Sequence, residues 1–236
     1  MYTIYPLAVG FNETDQGIMT YQHSYGKRII LPIYAFAIKG GEQKILVDTG
    51  LEDFMAPADL ESRMGFPVMH FEEALETVGW KPEDVDIIIH THLHNDHCEN
   101  DCLCTHAEVY VQKAELDFCN NPHPIDHRYY PEVLDGVNVK TVTGDTEIVK
   151  GIHVIFSPGH TPGGQSVVVD TSRGKAIITG LCCNSENFPP GGGVIAPGVH
   201  IDVIQSYESM VRIREAADIL IPIHDLEIGR KKSIPD

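Results

Sequence analysis

Four of the eight residues from His90 to His97 are histidines with a carboxylate among them: His90-Thr91-His92-Leu93-His94-Asn95-Asp96-His97. Neutral imidazole and carboxylate suit Zn²⁺ and are compatible with Fe, Mn or Co, so the donor set narrows the metal without fixing it. If the chain stays extended, His92 and His94 project to the same side, where two ring nitrogens can converge on one ion. Asp96 and His97 then point elsewhere. A lone histidine is ordinarily a surface or core residue with a satisfied hydrogen bond, but potential ligands in an HxHxDH pattern read as a metal-binding signature. Two further histidines repeat the logic: His160 in Ser157-Pro158-Gly159-His160-Thr161-Pro162-Gly163-Gly164, and His224 in Ile221-Pro222-Ile223-His224-Asp225. Each follows an apolar run and opens a loop. Proline and glycine around His160 fix a tight turn that can hold an imidazole rigidly over a cavity.

Elements that could position these residues are legible as apolar, β-branched runs bounded by turns. Strands are expected at Ile29–Ile38, Lys44–Val47, Asp86–Ile89, Glu108–Val111, Ile152–Phe156, Ser166–Val169, Lys175–Thr179 and Ile219–Ile223. Helical spacing links Phe71, Ala74, Leu75 and Val78, recurs over Lys113–Phe118, and spans Asp202–Ala217, where Ile204, Tyr207, Val211 and Ala217 share one face. Asp202 is the expected N-cap of that last helix. Strands interleaved with helices point to two sheets covered by helices, although composition alone does not separate this from a doubly wound parallel sheet.

A chain of 236 residues fits one α/β domain, and we read residues 1–236 as a single unit. The 34 acidic against 17 basic residues give a net charge of −17, which repels a phosphate backbone and an anionic membrane alike, so neither nucleic acid nor membrane is an expected partner. Met1–Leu7 lacks the features of a signal peptide, and no apolar run approaches the ~20 residues that cross a bilayer, so a cytoplasmic location is expected. The six cysteines are read as reduced thiols. Cys98, Cys102 and Cys104, with His106 nearby, lack a convincing fourth ligand and read as a packed loop.

HxHxDH, the Pro158-Gly159-His160-Thr161-Pro162-Gly163 turn, a terminal strand ending in His224 and the early Leu46-Val47-Asp48-Thr49-Gly50 together resemble the metallo-β-lactamase superfamily, in order and spacing over nearly the whole chain. Tyr5-Pro6-Leu7, the Ile33–Ile38 strand, Glu186-Asn187-Phe188 and Pro222-Ile223-His224-Asp225-Leu226-Glu227 most resemble its N-acyl homoserine lactonase branch. The resemblance implies an αββα sandwich, two mixed β-sheets flanked by helices, with one or two zinc ions (iron or manganese as alternatives) at one edge. It implies that His92, His94 and His160 hold a first metal and that Asp96, His97 and His224 hold a second. Asp48 would orient ligands rather than bind; a turn-capping role is compatible with that.

Two departures from the pattern bear on function. Two-metal members carry a bridging Asp just after the strand that here is Lys175–Thr179, but this chain reads Gly180-Leu181-Cys182-Cys183-Asn184. A bridging carboxylate offsets the repulsion between two cations, so its loss weakens the second site or changes its metal. Three arrangements stay open: Cys182 supplies a thiolate, a bridging hydroxide suffices, or only the tris-histidine site fills. The related lactonases also place a Tyr shortly after that Asp to polarise the lactone carbonyl, and Leu181–Phe188 contains none. Tyr129 or Tyr130 could take its place, and His200 with the run Pro190-Gly191-Gly192-Gly193 could form a pocket rim.

The expected function is a metal-dependent hydrolase in which metal-bound hydroxide opens a lactone or cleaves a related carboxylic ester, with Asp96 orienting the water and passing its proton to the leaving alkoxide. Its partner is a small-molecule substrate, and a homodimer is the default assembly. The competing readings are a thioester, amide or β-lactam hydrolase on the same fold, an iron-dependent redox or sulfur-oxidising enzyme, and a non-catalytic metal-binding protein.

Overall fold

Strand alternation decides which layer each side chain enters, because successive residues point to opposite faces. In the computed structural model, which describes residues 1–236, the chain runs through β1 (Thr3–Asp15), α1 (Gln16–Met19), β2 (Arg28–Lys39), β3 (Ile45–Val47), α2 (Leu60–Met64), α3 (Phe71–Thr77), β4 (Ile87–Ile89) and α4 (Asn95–Cys98). It continues through β5 (Glu108–Gln112), α5 (Lys113–Asn120), β6 (Asn138–Val142), β7 (Thr146–Val149), β8 (Ile152–Phe156) and β9 (Gln165–Thr171). The last elements are β10 (Gly174–Ile178), α6 (Val203–Ala216), β11 (Ile219–Ile221) and α7 (Leu226–Gly229). The strands form two mixed sheets, ordered β1-β2-β3-β4-β5-β6 and β11-β10-β9-β8-β7.

Tyr34, Phe36 and Ile38 of β2, Ile45 and Val47 of β3, and Ile87 and Ile89 of β4 meet Ile152, Val154, Val167, Val169, Ala176 and Ile178 of the second sheet in one apolar layer. The alternate residues Ala35, Ala37, Leu46, Ile88 and Val109 face outward and are covered by Phe71, Ala74 and Leu75 of α3. Ile155, Val168 and Ile177 likewise lie under Met210 and Ile213 of α6. The result is the expected αββα sandwich. No helix is long and apolar enough to cross a membrane.

Three strands were not legible in the sequence. In β1, Pro6 and Gly10 interrupt the β signal, yet β1 is an edge strand whose one partner strand is β2, with only a bridge from Ile4 to Ile234 on its other side, so a missing N–H at Pro6 is tolerated; its register shifts between Ala8 and Gly10. The first sheet's other edge, β6, is mostly exposed and reads Asn-Val-Lys-Thr-Val; β7 edges the second.

One helical face is a correction. Ile204 and Tyr207 are exposed, whereas α6 buries Ser206, Ser209, Met210 and Ile213. The helix presses against the turn before His160: a Cβ on Gly159, at φ +126°, would lie 2.2 Å from the Ser206 nitrogen, and Ser209 Oγ donates to Pro158 O at 2.7 Å. Only small residues fit that contact. Asp202 caps α6 as expected, accepting from the Ile204 and Gln205 N–H groups.

Candidate metal centre

Parallel pairing creates the site. Val47 of β3 is in register with Ile89 of β4, so the residues that leave the two strands, Asp48 and His90, emerge side by side at the carboxyl edge. Asp48 sits in the left-handed region at φ +57°, a conformation uncommon outside glycine, and its carboxylate is fully buried. It accepts from Thr91 N at 2.8 Å, Thr91 Oγ1 at 2.7 Å and His97 Nδ1 at 2.8 Å. From the second sheet, Gln165 at the start of β9 clamps this loop, its backbone N–H donating to Thr91 O and its side chain to His90 O.

The structure brings together all six residues marked by spacing. One donor atom each from His92, His94 and His160 falls within a 4.8 Å cluster, and Asp96, His97 and His224 form a second such cluster. His92 lies at the centre, its ring centroid 4.1 Å from that of His97, 4.6 Å from His94 and 4.9 Å from His160. Asp96 and His97 face the site because the chain turns into α4 immediately after His94.

Each imidazole is oriented through one nitrogen. His160 Nδ1 donates to Val199 O at 2.8 Å and His224 Nδ1 to Pro32 O at 2.9 Å. His94 uses its other nitrogen, Nε2, donating to Asp126 Oδ2 at 3.2 Å. His92 is the informative case. The single Thr91 hydroxyl proton is directed at the Asp48 carboxylate, which can only accept, so Thr91 Oγ1 must receive the Nδ1–H of His92 at 3.0 Å. His92 Nε2 then carries a lone pair, is buried, and has no hydrogen-bond partner.

Burial dominates the electrostatics. It pushes His92 and His160 well below the usual imidazole range and His224 down to about 4. His90 goes the other way. Burial lowers it, but Asp101 at 2.7 Å and Asp48 at 3.3 Å outweigh that and raise it to about 10. Asp48, although buried, is held down to about 2 by His97 and His90. These directions set a pH profile for the metal-free protein. Below the unfolded imidazole value of ~6.5, the unfolded chain takes up protons that His92, His160 and His224 refuse, so stability falls as pH drops from ~6.5 toward 4. The His90 contribution is fully present below ~6.5 and is lost as pH rises toward 10. Urea titrations of chelator-treated protein from pH 4.5 to 9.5 are expected to show a maximum near pH 6.5; a monotonic rise across that range would contradict these assignments.

Asp48→Asn is expected to lower metal affinity by about 10- to 100-fold, since an amide leaves either the His97 or the Thr91 donors unmatched. Competition with a fluorescent chelator measures it. An unchanged affinity would reduce Asp48 to a turn residue.

Tyr129, Tyr130 and His200 do not line the cavity of about 320 Å³ over the clustered histidines. The Tyr129 hydroxyl is spent on Glu115 Oε1 at 2.7 Å, Tyr130 is 44% exposed, and His200 packs edge-on against Tyr21 while bonding Pro197 O. Cys182 does line the cavity; its thiol lies 3.6 Å from Met19 Sδ and is outside both donor clusters. Leu181 points into the apolar layer under α6. Cys98 and Cys104 are buried in apolar clusters, while Cys102 and His106 are exposed. Arg214 of α6 reaches the backbone of Pro189 and Gly193, and the glycine run does not line the cavity.

Three residues without a sequence signal shape the site. Glu115, fully buried on α5, accepts from Leu93 N at 3.0 Å and Gly163 N at 2.9 Å, joining the His92–His94 loop to the His160 turn. The approach is close enough that a Cβ on Gly163 would lie 2.1 Å from the Glu115 nitrogen. Asp126 holds His94 and is gripped by Arg128 through Nε at 2.8 Å and Nη2 at 2.7 Å.

Residues 29–180 match the family model of the metallo-β-lactamase superfamily. The chain is 29% identical over 220 residues to an N-acyl homoserine lactonase of Bacillus cereus, covering 86% of this chain and 84% of that protein. A solved B. thuringiensis AiiA mutant with N-decanoyl-L-homoserine bound superposes with a TM-score of 0.78 at 25% identity, over 99% of this chain and 98% of that one. An N-acyl homoserine lactone hydrolase with N-hexanoyl-L-homoserine bound at its catalytic metal centre gives the same TM-score, 0.78, at 25% identity over 99% and 98% of the two chains.

Proposed function

The chain belongs to the metallo-β-lactamase superfamily and is a lactonase-like metallo-hydrolase; from that premise we propose that it opens a lactone or cleaves a related carboxylic ester, with residues 1–236 acting as one domain. The observation that carries this reading is His92 Nε2, a buried lone pair without a donor, beside His94 and His160, whose rings burial pushes toward the neutral form. Such an unmatched atom costs about 1–3 kcal/mol, and a divalent cation would satisfy it.

The residues fit a metal. His92 Nε2, His94 Nδ1 and His160 Nε2 would hold one ion, and Asp96, His97 and His224 a second; zinc suits these donors, with iron or manganese as alternatives. When bound, the metal would polarise the scissile carbonyl and make water acidic enough to attack near neutral pH. Asp96 opens onto the cavity with 19% of its side chain exposed, and His97 and His224 hold it ionised against the opposing effect of burial. It is therefore able to take the proton of the attacking water and return it to the leaving alkoxide. Asp48 keeps the Nε2 edge of His97 turned to the cavity by accepting from Nδ1. With Leu181 in the core and the Cys182 thiol pushed up by burial and by Asp96, no carboxylate is placed to bridge two ions, so we propose the tris-histidine site as the tighter one.

Metal analysis and anomalous scattering on the protein as purified, with a panel of lactones, esters, thioesters, amides and β-lactams, test the proposal. We expect an ion against His92, His94 and His160, and turnover of lactones or esters that is lost with the metal. Turnover that survives metal stripping would overturn it.

A further inference from the structure

The cavity lining that holds Cys182 also carries a cation. Arg128 lines the cavity together with Asp96, His160 and Cys182. Its guanidinium is fixed rather than mobile, because Nε and Nη2 grip the two oxygens of Asp126 at 2.8 and 2.7 Å. Asp126 is buried and braced in turn by His94. A guanidinium offers five N–H groups. Asp126 takes two, leaving both Nη1 hydrogens and one on Nη2, and no protein acceptor reaches Nη1. The side chain is 37% exposed, so its free edge is open to solvent.

The rest of the lining bears on what that edge receives. Of 14 lining residues only four are hydrophobic, and the aliphatic ones, Ile18, Leu31 and Val199, offer little surface to a long acyl chain. At about 320 Å³ the cavity is at the small end of ligand sites. Two carboxylates line it: Asp96, among the clustered donors, and Glu13, which is paired with Arg63 at 2.6 Å. A small, polar cavity with a preorganised guanidinium edge matches a planar carboxylate.

Resting on the hydrolase reading above, we infer that the preferred substrate is a small ester or lactone bearing a carboxylate, and that Arg128 is the specificity-determining residue that receives this carboxylate. Asp126 positions Arg128 from behind and leaves one edge for the substrate.

The test compares kcat/KM of the metal-loaded enzyme on matched pairs: γ-butyrolactone against its 5-carboxylate, and methyl butyrate against monomethyl glutarate. Calorimetric affinities for glutaramate and butyramide, which differ only by the carboxylate, are measured alongside. The carboxylate-bearing partner is expected to be favoured about 10- to 100-fold, the worth of a charge-assisted hydrogen bond. Arg128→Gln should bring that ratio toward one, through KM more than kcat, and Arg128→Lys should restore part of it; metal content of each variant is measured to separate this from damage at His94. Equal kcat/KM on both members of each pair, or a preference that survives Arg128→Gln, would overturn the inference while leaving the hydrolase intact. Failure to hydrolyse any member of the wider panel would count against the hydrolase reading, and the inference would then fall if glutaramate bound no more tightly than butyramide.

Discussion

Replacing His92 or His160 with alanine is expected to remove metal and hydrolytic activity together, with kcat/KM falling about 10³-fold or more, the scale of several kcal/mol of transition-state stabilisation supplied by a metal. His92 is the ring at the centre of the site, and its Nε2 has no partner within the protein. His160 projects from a turn that glycine keeps close to α6 and that Val199 O locks through Nδ1. Neither loss leaves a group able to replace the missing nitrogen, because the nearby Cys182 thiol is outside the donor clusters and is held protonated by burial. Plasma emission metal analysis and initial rates on the same preparations are the measurement. Folding should survive, since each variant deletes a ring that forms a single outward hydrogen bond. A variant that keeps its metal but loses activity would instead make the histidine a proton-transfer group.

Glu115→Ala is expected to lower stability by about 4 kcal/mol and the melting temperature by roughly 10 °C, and to weaken metal binding although Glu115 touches no metal donor. Its carboxylate receives three donors, the backbone N–H groups of Leu93 and Gly163 and the Tyr129 hydroxyl, all buried. Alanine orphans them at about 1–3 kcal/mol each and uncouples the two loops carrying His94 and His160. Tyr129→Phe, which removes one of the three, should cost only about 1 kcal/mol and leave metal affinity close to normal. Thermal denaturation with chelator competition on both variants separates the roles. If Glu115→Ala binds metal as the parent does, the loops are held by other contacts and its positioning role is wrong.

Much of this architecture is written locally. Runs such as Ile152–Phe156 carry their own β signal, and HxHxDH and the Pro158–Gly163 turn bring donor types and turn residues within a few positions of one another. That is why the layers and the six clustered donors were legible. The edge strands β1 and β6 were not, because an edge strand tolerates the Pro6 and the polar residues that erase the pattern. The inner face of α6 was misread because close contact with Gly159 favours serine over the isoleucine and tyrosine that hydropathy selects.

What the sequence alone determined, then, was the chemistry of the donors and the strands that deliver them. Only the tertiary structure decided which nitrogen of each ring is free, that Glu115 ties two loops together, that Tyr129 is occupied elsewhere, and that Arg128 stands on the cavity wall instead. Those facts depend on pairs far apart in the chain, such as Asp48 with His97 and Glu115 with Gly163. A hydrogen bond between such residues leaves no periodicity in either segment, since it is set by the register of parallel strands and the packing of a helix against a turn.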